Sequence, residues 1–219
     1  MPSENSFDTI TVGARGSILS EAQVWEVHRE LLNHHPQIQF QPTWIETTGD
    51  KDKKTSLRTL DKTDFFTREV DQLQLQGHFR ISIHSAKDLP EPLAPGLKIV
   101  ALTRGVDSSD VLVYNHELPQ NALIATSSLR RQQNLREWKK GFRFADIRGT
   151  IQERLAILDS GQIDGVVIAE AALIRLGLMH RRRMSIPGLA APLQGRLAVI
   201  ALESDHEMQE LFRCIHHEI

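Results

Sequence analysis

The 219-residue chain has one cysteine, Cys214, which excludes an internal disulfide framework. A chain of this length buries about 70% of its unfolded surface and needs no disulfide or metal staple. The lone thiol points to a reducing compartment. Aromatic residues are scarce, at 5%, so the interleaved stacking platforms of a nucleic-acid binder are missing. Long apolar runs are missing too. Residues 184–195 carry no charge, but Pro187 and Pro192 interrupt them, and they fall short of the ~18 residues a membrane span requires. The opening MPSENSFDTI has neither the basic start nor the apolar core of a secretory signal, so a cytoplasmic protein is expected. No Walker loop, GxGxxG, GxSxG or HExxH occurs. Cys214, His216, His217 and Glu218 match no zinc spacing, and no metal is expected.

Net charge is only −2, but the charges are unevenly placed. Residues 121–200 hold 13 Lys and Arg against 6 Asp and Glu, and the rest hold 13 against 22. A basic region in a nearly neutral chain suits an anionic partner of limited size. Nucleic-acid domains carry a larger excess and a recognisable motif, so no nucleic-acid partner is expected.

Short apolar runs alternate with amphipathic stretches. Strands are predicted over 9–12, 37–46, 80–84, 99–102 and 111–114, with helices over 18–32 and 65–75. The pattern then restarts, with strands over 123–126, 142–147 and 165–169 and helices over 128–138, 150–158 and 171–176. A strand over 197–202 and a helix over 206–217 close the chain. Such alternation predicts an α/β fold of two lobes, each a mixed, mostly parallel sheet with helices on both faces. Ligands of such sheets bind beyond the strand C-termini, so the residues that follow each strand carry the functional reading.

Four such segments stand out. GARGS, residues 13–17, joins the first strand to the first helix and offers Arg15 and Ser17 to an anion at a helix start. HSAKDLP, residues 84–90, places Lys87 and Asp88 after the third strand. Asp88 is either one half of a surface ion pair or a carboxylate positioned to stabilise a developing cation. ATSSLRR, residues 125–131, is the densest. Thr126, Ser127 and Ser128 cap a helix, and Arg130 and Arg131 in its first turn oppose the helix dipole unless an anion compensates. IRGT, residues 147–150, repeats the arrangement, with Arg154 one turn further on. Arginine binds carboxylates in a forked manner, so Arg15, Arg130, Arg131, Arg148 and Arg154 together imply a ligand with several carboxylates. The run 181–183, three arginines, reads as a solvated loop.

These stretches resemble the porphobilinogen deaminase (hydroxymethylbilane synthase) family. VGARGS, TTGDKD, FTREVD, HSAKDLP, RGVDSSD, ATSSLRRQ, DIRGTIQERL, LDSGQIDGVVIAEAALIRLGL and LQGRLAVIALE occur in the family's order over most of the chain. The resemblance implies two lobes like those of type II periplasmic solute-binding proteins, with lobe 1 over 1–103 plus 198–219 and lobe 2 over 104–197. It implies a transferase of tetrapyrrole (haem, porphyrin) biosynthesis that joins four porphobilinogen units head to tail with loss of ammonia. By the same resemblance Asp88 is the catalytic carboxylate. Arg15, Ser17, Lys87, Thr126, Ser127, Ser128, Arg130, Arg131, Arg148, Gly149 and Arg154 bind substrate or cofactor, and Gln194 matches the family's GQG element, here LQG.

Two departures accompany the match. The family carries a dipyrromethane cofactor on a cysteine of a third domain, which the resemblance leaves without a counterpart here. Cys214 lies in the closing helix without the glycines of an attachment loop, so no attachment cysteine is found and a second chain is a possible source of that domain. The family's glycine-rich lid reads LDKTDFF, with its lysine displaced to Lys62. The alternative to an enzyme is a two-lobed, non-catalytic binder of tetrapyrrole precursors or other polycarboxylates.

Overall fold

The computed structural model describes residues 9–59 and 63–218. Lys62 of the altered lid, with Leu60 and Asp61, lies outside the described residues, as does the N-terminal stretch 1–8. The chain forms two compact units, one of residues 9–51, 63–104 and 196–218 and one of 52–59 and 105–195. The sequence division left 52–59 with the first lobe. The structure groups it with the second, where Arg58 donates to the Thr126 carbonyl at 3.0 Å, Lys53 pairs with Glu153 and Ser56 donates to Asp146.

The first unit contains β1 (Thr9–Arg15), α1 (Ile18–Leu32), β2 (Gln39–Ile45), α2 (Thr48–Lys51), α3 (Arg68–Leu75), β3 (Ile81–Ser85), β4 (Leu97–Leu102), β10 (Leu197–Leu202) and α7 (His206–Leu211). Its sheet runs β2-β1-β3-β10-β4. Strands β2, β1 and β3 are parallel, and β10 is antiparallel to both its neighbours. The second unit contains β5 (Asp110–Val113), β6 (Leu123–Ala125), α4 (Leu129–Trp138), β7 (Arg143–Ala145), α5 (Ile151–Asp159), β8 (Gly165–Ala169), α6 (Glu170–Arg175) and β9 (Arg183–Ile186). Its order β7-β6-β8-β5-β9 repeats the scheme, with β5 antiparallel to both neighbours. Four of five strands in each sheet therefore point one way, and the reversed strand follows a crossing between units. The sequence shows no repeat of this topology.

Burial explains the elements. β8 and β5 are buried along their whole length, as helix-covered strands must be, and apart from Asp110 at the start of β5 their sequences are apolar runs rather than alternations. Pro42 is tolerated because β2 is an edge strand, where a missing ladder donor costs little. In the first unit Val24, Val27 and Leu31 of α1 pack with Ile10, Val12, Ala14, Ile81, Ile83 and Val199. Val70 of α3 forms a separate cluster with Ile45 and Phe79. In the second, Leu135 of α4 packs with Leu112, Ile124, Val167 and Ile186.

Two local expectations are corrected. The closing helix ends at Leu211 and continues as a 3-10 turn over Phe212–Ile215. Met208, Phe212 and Ile215 are still buried in the core, so the apolar stripe survives the tighter winding. Cys214 is exposed on that turn. Residues 181–183 are not a free loop. Arg183 opens β9 and forks onto Glu170 at 2.8–3.0 Å, Arg181 forks onto Asp159 at 2.7 Å, and Arg182 pairs with Glu117.

Beside α3, the proline-rich loop 90–95 and the helix line a groove of about 460 Å³ that contains Asp64, Arg68, Asp71 and Glu91. Burial pushes the Asp71 carboxyl up to about 6, and the Asp64 charge adds to the rise. The folded state thus keeps a proton on Asp71 between pH 3.8 and 6 that the unfolded state has released, so stability falls as pH rises through this window. Asp71→Asn, a mimic of the protonated form, removes that loss. The variant is expected to match the wild type near pH 4 and to exceed it by about 1–2 kcal/mol at pH 7, the shift being discounted because the groove is open to water. Denaturant melts at the two pH values check this, and equal stabilities at pH 7 reject it.

Candidate active site

Every segment singled out in the sequence lies at the C-terminal end of a strand. Arg15 ends β1, Lys87 and Asp88 form the 3-10 turn directly after β3, residues 126–128 follow β6, and Arg148 and Gly149 follow β7. Each hydroxyl with a cap position is used as one. Ser17 accepts from the Ser20 amide at 3.1 Å, Ser128 caps α4, and Thr150 forms a capping box with Glu153 on α5. Thr126 is buried, and its hydroxyl accepts from the Ser128 amide at 3.2 Å. Ser127 is half-buried.

In the first unit Arg15 forks onto Asp50, whose carboxylate also accepts from the Thr47 amide at 3.0 Å and the Thr47 hydroxyl at 2.8 Å. Burial alone would raise the Asp50 pKa. The Arg15 hydrogen bond and charge, with the Thr47 donors, outweigh it and hold the carboxyl below its ordinary value. The Arg15 guanidinium also lies 4.4 Å from the Phe66 ring centroid, a cation–π contact. The guanidinium is thereby fixed from two sides. Asp88 is exposed and Lys87 half-exposed, on a turn anchored by the Ala86 amide to the Arg196 carbonyl at 3.0 Å. His84, the penultimate residue of β3, is buried with its Nε2 lacking a hydrogen-bond partner among the described residues. Desolvation, and then the Arg15 charge, push its pKa down to about 4, so the imidazole is neutral at pH 7.

In the second unit Arg130 and Arg131 converge on Asp110, the first residue of β5, at 2.8 and 2.7 Å. Gln194 is buried and donates to the same carboxylate at 2.9 Å and to the Ser108 carbonyl at 2.7 Å. Burial would raise the Asp110 pKa, but Arg131 and then Arg130 outweigh it and hold it low. Part of the anion that the arginines at the start of α4 require is therefore internal. Arg130 also reaches the Leu189 carbonyl at 2.6 Å. Arg148 donates to the Asp52 carbonyl at 2.6 Å, and Arg154 to the Gly149 carbonyl at 2.9 Å. Gly149 has φ 98°, a conformation that suits glycine, and this keeps the loop between β7 and α5 tight.

The structure thus brings Arg130, Arg131 and Gln194 to one carboxylate, and Arg148 and Arg154 to the entry of α5. Sequence reasoning missed Asp50, Asp110 and Arg58. The first two stand inside TTGDKD and RGVDSSD, and the signal was the uncompensated arginine charge, but their partners lie 35 and 21 residues away. Arg175 was missed as well; it donates to the Gly195 carbonyl at 2.8 Å.

Comparison with known proteins agrees with this geometry. Among solved structures, an amino acid ABC transporter substrate-binding protein from Streptococcus pneumoniae, bound to L-arginine, aligns with a TM-score of 0.54 at 10% identity, covering 95% of this chain and 86% of that one. That likeness shows the fold, the α/β architecture of type II periplasmic solute-binding proteins. The chain is 41% identical over 212 residues to a probable porphobilinogen deaminase of Chlamydia pneumoniae, covering 94% of this chain and 90% of the relative. It is 38% identical over 218 residues to the porphobilinogen deaminase of Fusobacterium nucleatum subsp. nucleatum, covering 95% and 73%. A family model described as porphobilinogen deaminase, dipyromethane cofactor binding domain, matches residues 10–210. With arginine-rich strand ends on this fold and a family match that spans nearly its whole length, the chain belongs to the porphobilinogen deaminase family.

Proposed function

We propose that this chain is a hydroxymethylbilane-forming transferase, which condenses porphobilinogen head to tail and releases one ammonia per unit. The observation that supports this most is the set of arginines in the turns that follow the strands and at the starts of the next helices, since porphobilinogen and its oligomers carry an acetate and a propionate on each ring. Arg15, Arg130, Arg148 and Arg154, with Ser17, Lys87, Thr126, Ser127, Ser128 and Gly149, hold those carboxylates. Asp88 accepts hydrogen bonds from pyrrole N–H groups. It stabilises the positive charge that develops as the aminomethyl C–N bond breaks, the ammonia leaves, and the new C–C bond forms with loss of the ring α-proton. A carboxylate aimed at developing charge acts mainly in the transition state.

The arginine donors fit the acidic side chains of a dipyrromethane, whose chemistry is to prime chain growth. Cys214 does not fit as its anchor. Its thiol, exposed on the 3-10 turn, donates to the Leu211 carbonyl at 3.3 Å, and the desolvation of its inner side is enough to raise its pKa, which disfavours the nucleophilic thiolate. We place the reaction in the cytoplasm, where such a thiol stays reduced.

The test is porphobilinogen consumption by the purified chain, with mass spectrometry under native and denaturing conditions. Expected are equal amounts of ammonia released and porphobilinogen consumed, and a bound pyrrole mass that is lost on denaturation because Cys214 carries no thioether. Activity that appears only with a second chain would place cofactor attachment there. Neither consumption nor bound mass under any condition rejects the proposal, and a pyrrole adduct on a Cys214 peptide rejects the reading of the thiol.

A further inference from the structure

Asp110 is a buried carboxylate that gathers three residues implicated in ligand binding, Arg130, Arg131 and Gln194. Its side chain is 3% exposed, whereas those of Arg130 and Arg131 are 28% and 11% exposed. Arg131 donates Nε–H to Oδ1 at 2.9 Å and holds Nη2 2.7 Å from the same oxygen as an ion pair, Arg130 holds Nη2 2.8 Å from Oδ2 as an ion pair without hydrogen-bond geometry, and Gln194 donates to Oδ1 at 2.9 Å. Two guanidiniums side by side repel one another, and both oppose the α4 dipole. One shared carboxylate removes half of their net charge, orients Arg131 through its Nε–H bond and draws Arg130 beside it by charge.

We propose that Asp110 is a positioning residue, which holds Arg130 and Arg131 as a preorganised pair for the carboxylates of an acidic pyrrole. This rests on the function proposed above for Arg130. Preorganisation lowers the ordering cost of each fork when ligand binds, and this gain outweighs the attraction that Asp110 withdraws from the ligand by neutralising one charge. Gln194 keeps the carboxylate from turning, because the same amide is tied to the Ser108 and Ser109 carbonyls at 2.7 and 3.1 Å.

Two measurements test this. The first is hydrogen exchange at the arginine Nε–H groups, followed by NMR without ligand. Asp110→Asn is expected to speed exchange at Arg131 at least tenfold, and unchanged exchange rejects the held pair. The second is steady-state turnover of porphobilinogen. Asp110→Asn is expected to raise KM about tenfold or more with a smaller effect on kcat, while near-UV circular dichroism stays unchanged. A merely structural carboxylate would lower stability and leave KM alone, and that result, or a lowered KM, overturns the proposal. If Asp110→Asn does not fold, Arg131→Lys keeps both charges but loses the planar group and its Nε–H bond to Asp110, and the same KM rise is expected of it. Absence of turnover in the wild type would count against the proposed function only, because the exchange experiment still decides whether Asp110 holds the arginines.

Discussion

Asp88→Ala is expected to lower porphobilinogen turnover by at least about 100-fold, the scale on which removal of a single charge-stabilising group acts on kcat, while leaving thermal stability within about 0.5 kcal/mol of the wild type. The reason lies in how the residue is placed. Asp88 closes the 3-10 turn Ala86–Asp88 with its side chain exposed, so no core packing is lost on truncation. The turn itself is held by its backbone, from the Ala86 amide to the Arg196 carbonyl and from the Leu89 amide to the Ala86 carbonyl at 3.4 Å, and Ala86 and Leu89 on either side are buried. A carboxylate kept in place by its backbone, with no ion pair among the described residues, remains available to a substrate cation. Asp88→Glu separates charge from placement: it keeps the charge but moves it by one methylene, and an intermediate rate is expected. Full turnover by a well-folded Asp88→Ala protein removes the catalytic role.

Gly195→Ala is expected to cost about 3 kcal/mol or more, which for a chain of this size lowers the melting temperature by about 6–12 °C. Gly195 has φ 86°, where an L side chain costs about 1–2 kcal/mol by itself. A Cβ there would lie 2.0 Å from the Asp107 carbonyl oxygen and 2.7 Å from its carbon, and backbone cannot swing aside as a side chain does. The Gly195 carbonyl meanwhile accepts from Arg175 and, at 3.4 Å, from the Val106 amide. Relief of the clash therefore has to shift the 105–107 loop, and with it Ser108, Ser109 and Asp110, the acceptors of Gln194. Function is expected to fall together with stability, through a raised KM. Leu193, two residues earlier, already adopts φ 58°, so the segment has little room for a second strained position. A melting temperature within 2 °C of the wild type would show that the 105–107 loop yields more easily than its contacts imply.

Much of this molecule was legible without its tertiary structure. The α1 boundaries, 18–32, and those of β8 and β10 came directly from the periodicity, because an amphipathic helix face or a helix-covered strand leaves a local signature in residue order. The fold class followed from the alternation of those elements, and the family from motifs that each occupy a few consecutive residues. Legibility failed where a partner lies far along the chain. Strand β9 was missed because Arg183 needs Glu170 to neutralise it and β5 to pair with it. The 52–59 segment reads as part of the first lobe until Arg58 finds Thr126 and Asp146.

The sequence by itself determined that Arg15 and Arg148 stand at or just after strand ends and that Arg130, Arg131 and Arg154 stand at the starts of the helices that follow, because strand, turn and helix cap are local. Only the tertiary structure decided which anions they face. Asp50 and Asp110 are drawn to those arginines by charges that act across space, and burial would raise the pKa of both carboxyls were the guanidiniums not there to hold them ionised.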